Sequence, residues 1–194
     1  ASGDCAWNTA NSTLYALSGN SGQMTFDLLS VNVTTGAGTF IGSHGIPSRT
    51  ALAFHPPTGN LYMIGTVVGA PAAFRALYTV NPMTGAATFI GQVGTTTPIN
   101  GMAWDSARSR MIAITSGTSS GFLTINLATG AGTAIGPAIA AVGDNGMTYD
   151  PNLDRYVVLD TTGALVHFHP TTFARTNVAA SLGPHTCIAY RTLP

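Results

Sequence analysis

One block dominates the sequence. "VNVTTGAGTFIG" at 31–42 returns as "VNPMTGAATFIG" at 80–91 and as "INLATGAGTAIG" at 125–136. A glycine-rich loop that cradles phosphate occurs once per nucleotide-binding domain. A block recurring at a period of about 45 residues marks a repeat architecture instead.

Aligning the chain on an aromatic position gives four units. "DCAWN", "ALAFH", "GMAWD" and "GMTYD" open them, anchored on Trp7, Phe54, Trp104 and Tyr149. Cys5, Leu52, Met102 and Met147 precede the anchors by two residues, and Ala6, Ala53, Ala103 and Thr148 by one. Large and small residues therefore alternate with period 2, which predicts a strand. The small face suits close approach between strands. Six polar or turn-forming residues follow each anchor ("NTANST", "HPPTGN", "DSARSR", "DPNLDR"). A second strand follows, with Tyr15, Tyr62, Ile112 and Val157 each eight residues past its anchor. After a variable loop come a third strand and the repeated block.

In that block Asn32, Asn81 and Asn126 suit a turn in which the side chain bonds backbone two residues on. Gly36, Gly85 and Gly130 supply the positive φ such hairpins need. The fourth unit carries His169 and Phe173 at these positions, which predicts a longer or bulged hairpin. Units of four strands and 40–50 residues, with no helical segment, predict an all-β chain folded as a small β-propeller. The single domain, 1–194, has repeats at about 4–50, 51–100, 101–145 and 146–186. A β-sandwich would not repeat at this period. The blocks resemble those of secreted bacterial β-propeller repeat proteins, written L-Y-x-V-N-x-x-T-G-x-x-T-x-I-G. That resemblance covers nearly the whole chain; it implies the fold and says little about activity.

"CIAYR" at 187–191 is left over, and it matches a first strand with Tyr190 at the anchor. Three outcomes are open for this extra C-terminal strand. It closes its own ring beside or in place of "DCAWN", it is donated to a neighbouring molecule, or it begins a blade completed by sequence outside this chain. Cys5 and Cys187 lie at opposite ends, so a disulfide locking the seam is expected outside the cell. The opening "ASGDC", small residues without an initiator methionine, fits a mature secreted chain or one at the cell surface.

Charge bounds the partners. Only 7% of residues are charged, and neither lysine nor glutamate occurs, against about 25% charged residues in ordinary soluble domains. The net charge is zero, so neither nucleic acid nor an anionic membrane is implied. No apolar run approaches the roughly 20 residues that span a bilayer. So uncharged a surface favours association, and a homo-oligomer or polymer is expected.

Candidate chemistry is sparse. "GTSSG" matches G-x-S-x-G around Ser119, but between strands rather than at a strand-to-helix elbow. His167 and His169 share a strand face, as metal ligands do, with His185 the only further candidate. Some propeller enzymes, lactonases among them, hold a divalent cation on the axis through Glu, Asp and Asn. Here Asp4, Asn100, Asp144 and Asn145 fall near the starts of the first strands. Their oxygens suit a weak calcium site, though a ring that solvates the channel mouth is the plainer reading, and no cofactor is expected. Asp105 and Asp150 read as turn caps. Tyr62, Phe74, Tyr78 and Phe122 would stack on sugars if exposed, but alternate with the core. Asn11 and Asn32 head glycosylation acceptor patterns. With no catalytic set, the sequence favours a non-enzymatic extracellular structural or adhesive module that self-associates, with a filament built by terminal-strand or blade–blade contacts as one expected form. A carbohydrate- or ligand-binding, lectin-like propeller is the alternative, and a metal-dependent lactonase-like hydrolase the third reading.

Overall fold

A computed structural model describes residues 2–19, 26–46, 49–67, 69, 74–117, 120–142, 146–160, 162–179 and 187–191. It is a four-bladed β-propeller of sixteen antiparallel strands. Blade 1 comprises β1 (Ser2–Asn8), β2 (Thr13–Gly19), β3 (Phe26–Val31) and β4 (Gly38–Ser43). Blade 2 holds β5 (Arg49–His55), β6 (Asn60–Thr66), β7 (Arg75–Val80) and β8 (Ala87–Gln92). Blade 3 is β9 (Ile99–Asp105), β10 (Arg110–Thr115), β11 (Ser120–Ile125) and β12 (Gly132–Ile139). Blade 4 is β13 (Met147–Asp150), β14 (Arg155–Leu159), β15 (Leu165–Phe168) and β16 (Arg175–Ala179). Each blade is a meander in chain order, as the four-fold alignment requires.

Alternation along the strands sends one side-chain set to each face of a blade, and neighbouring blades bury these faces against one another. Leu52, Leu61 and Met63 of blade 2 pack with Tyr15, Leu17 and Leu28 of blade 1. Tyr62, Ile64 and Leu77, on the other face of blade 2, pack with Ile99, Met102 and Met111. Ile112, Ile114 and Phe122 pack with Tyr156, Val158 and Phe168. Each such side chain contributes about 1.5–3 kcal/mol on burial.

The interface between blades 4 and 1 is built differently. Strands β1, β5, β9 and β13 stand side by side in that order around the axis, but β13 and β1 make no comparable approach. Segment 187–191 lies between them. Cys187 is bonded to Cys5 with Cα atoms 5.5 Å apart. The Tyr190 amide donates to Thr148 Oγ1 at 2.9 Å, and the Arg191 guanidinium lies 5.1 Å from the centre of the Trp7 ring. The segment thus closes its own ring beside β1. Its described residues belong to none of the sixteen strands, so it lies beside β1 as an irregular segment where a further first strand was expected.

The repeated block forms the hairpin between third and fourth strands. Asn32 Oδ1 accepts from the amides of Thr34 and Thr35 at 2.9 and 3.1 Å, and the Gly36 amide closes the turn on the Asn32 carbonyl at 2.7 Å. Asn81 and Asn126 repeat this. The fourth hairpin is not longer, contrary to expectation. His169 Nδ1 accepts from Thr171 and Thr172 at 3.2 Å each, and the Phe173 amide donates to the His169 carbonyl at 2.8 Å. Phe173 adopts the left-handed φ of 58° that glycine holds elsewhere, and its ring packs 5.1 Å from that of Phe122.

The block's final glycine has an inter-blade task. Gly42 lies against Thr84 and Gly85 of the next blade, and Gly91 against Thr129 and Gly130. A Cβ on Gly85 would run into the Gly42 carbonyl, whereas one on Gly36 would meet nothing within 4 Å. Both have φ of +73°. We predict that Gly36→Ala costs only the left-handed strain, about 1–2 kcal/mol. Gly85→Ala adds a backbone collision and costs clearly more in denaturant unfolding; equal losses would contradict the docking role.

Candidate functional site

The first strand of every blade lines the axis, so the channel is where side chains from all blades meet. At the end where these strands begin, Asp4 is 2% exposed. Its carboxylate accepts the Cys5 amide at 2.9 Å and the Leu52 amide at 3.1 Å, and the Met102 amide also faces it. One carboxylate therefore draws on backbone from three blades. Asn100 is buried close by, its carbonyl accepting the Gly146 amide at 3.1 Å. Gly146 in turn lies against Asp4 and Cys187. Asp144 and Asn145, expected to complete this ring, lie outside the described residues. A calcium site here would rest on Asp4 and Asn100, and Asp4 already spends its oxygens on amides. Among the described residues no three His, Cys, Asp or Glu side chains converge as a metal group.

Burial pushes the Asp4 carboxyl well above its usual range, and its amide donors offset this only in part. The native state therefore holds a proton that the unfolded chain releases, so Asp4 makes stability fall as pH rises above its unfolded value of about 3.9. Asp160 has the opposite shift: hydroxyl and amide donors from Thr162 and Ala164, with Arg175, outweigh burial and hold it below the usual range. Its contribution is lost only as pH falls through about 4 and below.

The other end of the channel opens into a pocket of about 170 Å³. Its walls are the anchors Trp7, Phe54, Trp104, Tyr149 and Tyr190, and Thr9, Pro56, Ser106 and Pro151, each two residues past an anchor, form the rim. The void exists because Ala6, Ala53, Ala103, Thr148 and Ala189 occupy the level behind the anchors.

Beside this pocket, blades 3 and 4 are tied by a network that sequence reading did not find. Asp105, 0% exposed, accepts Tyr156 Oη at 2.6 Å and Arg110 Nε at 3.1 Å and caps its turn through the Arg108 amide at 3.2 Å. Arg108 also grips Asp154 in a two-point contact at 2.8 and 2.7 Å, and Tyr149 donates to Asp154 at 2.8 Å. Burial first, then the bond to Asp154, pushes the Tyr149 hydroxyl up to about 12. Only the turn-cap part was legible, because the partners stand 46–51 positions away in sequence. Asp150 caps its turn as expected, through the Asn152 and Leu153 amides.

The remaining candidates disperse. His167 is half-buried in β15, while His169 is committed to the hairpin. Ser119 and His185 lie outside the described residues. Tyr62, Tyr78 and Phe122 are buried between blades, whereas Phe74 is exposed. Asn11 and Asn32 are exposed, Asn32 in its turn role.

No family model matches the chain, and neither does any curated protein. Among solved structures, a nidogen/laminin complex aligns over 98% of this chain and 68% of its own, at 11% identity and a TM-score of 0.66. A Bacteroides thetaiotaomicron protein of unknown function aligns over 93% and 44%, at 18% identity and 0.63. An engineered GH43 glycoside hydrolase with endo-xylanase and exo-arabinofuranosidase activity aligns over 93% and 42%, at 10% identity and 0.65. This chain thus spans less than half the length of the latter two. These likenesses show the propeller fold.

Two outcomes test the site's electrostatics. Between pH 4 and 7, wild-type stability is expected to fall relative to Asp4→Asn, read from urea midpoints; parallel curves would refute the buried-proton account. Asp105→Ala removes the buried carboxylate that Arg110 and Tyr156 share and is expected to cost about 3–5 kcal/mol, with less than 1 kcal/mol lost contradicting a structural role for the network.

Proposed function

We propose that this chain is a non-catalytic extracellular structural module that associates with copies of itself. One observation carries the reading: the outer edge strands β4 and β8, "GTFIGS" and "ATFIGQ", contain no charged residue and no proline. Natural edge strands are blunted by lysine, proline or inward charge, because an open row of N–H and C=O groups pairs with any other edge. Here Phe40 and Phe89, at equivalent positions on the two strands, are 63% and 53% exposed. Met83 and Val33 add exposed apolar surface on the adjoining hairpins. With zero net charge, long-range repulsion does not oppose contact.

Other features support the extracellular and non-catalytic parts. The Cys5–Cys187 disulfide suits an oxidising compartment, and no helix is long and apolar enough to cross a membrane among the described residues. Asp105, Asp154 and Asp160 are each held by arginine, and Asp4 by amides, which leaves them poorly placed for acid–base work. Sedimentation velocity over a range of concentrations tests the proposal. Wild type is expected to form dimers or larger species, and Thr39→Lys with Thr88→Lys, on the same edges, to remain monomeric with unchanged circular dichroism. A wild-type monomer at every concentration would sink the reading.

A further inference from the structure

We infer that the anchor-end pocket of the axial channel is a binding site for a small, uncharged, ring-bearing apolar molecule of about the size of a phenol. The site is separate from the edge strands and does not depend on self-association.

Size comes first. A cavity of about 170 Å³ is comparable to an engineered apolar cavity of about 150 Å³ that takes up benzene. The space is a product of the repeat: four alanines and one threonine at a single level leave room, and a ring of aromatic anchors walls it. Phe54 and Tyr149 are buried, packed between blades. Trp7, Trp104 and Tyr190 are only half-buried, so their rings have surface left to give a ligand. Aromatic walls favour a planar or ring-shaped guest, because edge-to-face and offset ring contacts add to the gain from buried area.

Charge selects next. No Asp, Arg or His is among the lining residues. The charges flanking the lining have partners: Asp105 holds Arg110 and Tyr156, Asp150 the Asn152 and Leu153 amides, Asp4 the Cys5 and Leu52 amides and Asp154 Arg108 and Tyr149, while Arg191 lies over the Trp7 ring. His55 stands edge-on to Trp104 at 4.2 Å, and burial lowers its pKa, which favours the neutral imidazole. A cationic guest would find no carboxylate and would meet Arg191 beside the ring it needs; an anion would find no donor charge in the lining.

Hydrogen bonding then separates a phenol-like guest from a sugar. A hexose carries several hydroxyls that must each find a partner on desolvation. Tyr149 Oη is engaged with Asp154, Tyr190 Oη accepts from Asn152 Nδ2 at 2.6 Å, and Thr148 Oγ1 accepts the Tyr190 amide. Thr148 and Tyr190 each keep an O–H to donate, and the rim hydroxyls of Thr9 and Ser106 stand on other blades; this scattered set suits one polar group on the guest better than the several neighbouring hydroxyls of a pyranose.

Fluorine NMR with para-fluorophenol as the probe tests this. Saturable broadening or shift is expected at submillimolar to millimolar concentration, an affinity on the order of 4–5 kcal/mol. Benzyl alcohol should displace the probe, and glucose and tetramethylammonium should not. Ser106→Trp, at the exposed rim, is expected to weaken binding at least tenfold with an unchanged thermal midpoint, and Trp104→Phe, which keeps a ring, to weaken it less. The inference is overturned by any of three results: no saturable signal on folded wild type, equal binding by Ser106→Trp, or displacement by glucose or tetramethylammonium at lower concentration than benzyl alcohol.

Discussion

Everything in this ring depends on how its fourth interface is closed. Three interfaces are closed by buried apolar faces that the repeat supplies automatically, since each blade presents one face backward and one forward. The fourth brings blade 4 to blade 1 without a matching cluster among the described residues. Leu14, Ala16, Leu29 and Val31 are half-buried, while their counterparts in blade 2, Leu61, Met63, Tyr78 and Val80, are buried. Among the described residues, what joins the ends is the segment 187–191 and one covalent bond. That bond spans 182 positions, and the chain entropy it removes from the unfolded state corresponds to about 5 kcal/mol. Covalent closure thus does at this seam what packing does at the other three.

Much of the fold was legible because it is periodic. The anchor, the turn after it and the Asn-x-x-Thr-Gly hairpin recur at fixed offsets, and each sits where the offsets place it. The cysteines at the two ends announced the seam. The irregular parts were less legible. His169 and Phe173 break the motif in letters but keep its geometry, since an imidazole nitrogen accepts the same two amides as an asparagine oxygen and burial against Phe122 holds the left-handed phenylalanine. The pairing of Gly42 with Gly85 follows from how close two blades come, which no spacing within one repeat reveals. The Asp105 network joins residues about one repeat apart, visible only once blades 3 and 4 are side by side. The pocket follows from the same alternation that defines the strands: the small face that lets first strands approach also leaves a void when five of its members meet on one axis.

The molecule divides by radius. Near the axis, polar atoms are satisfied by backbone or by one another: Asp4 gathers amides from three blades, and Asp105 gathers two arginines and a tyrosine. At the perimeter, the edge strands β4 and β8 lack the charge that usually guards such an edge and carry the exposed Phe40 and Phe89. Two such edges are what the proposed self-association draws on, and the proposed binding pocket lies on the axis beside the seam.

Hydrogen exchange followed by mass spectrometry, with and without reductant, tests the closure most directly. If the Cys5–Cys187 bond holds the seam, reduction should raise exchange in β1 and 187–191 by at least tenfold, with a smaller rise in β13. The inner strands β5 and β9, packed on both faces, should keep their protection. Unchanged exchange in β1 after complete reduction, or equal loss across all four blades, would contradict the account.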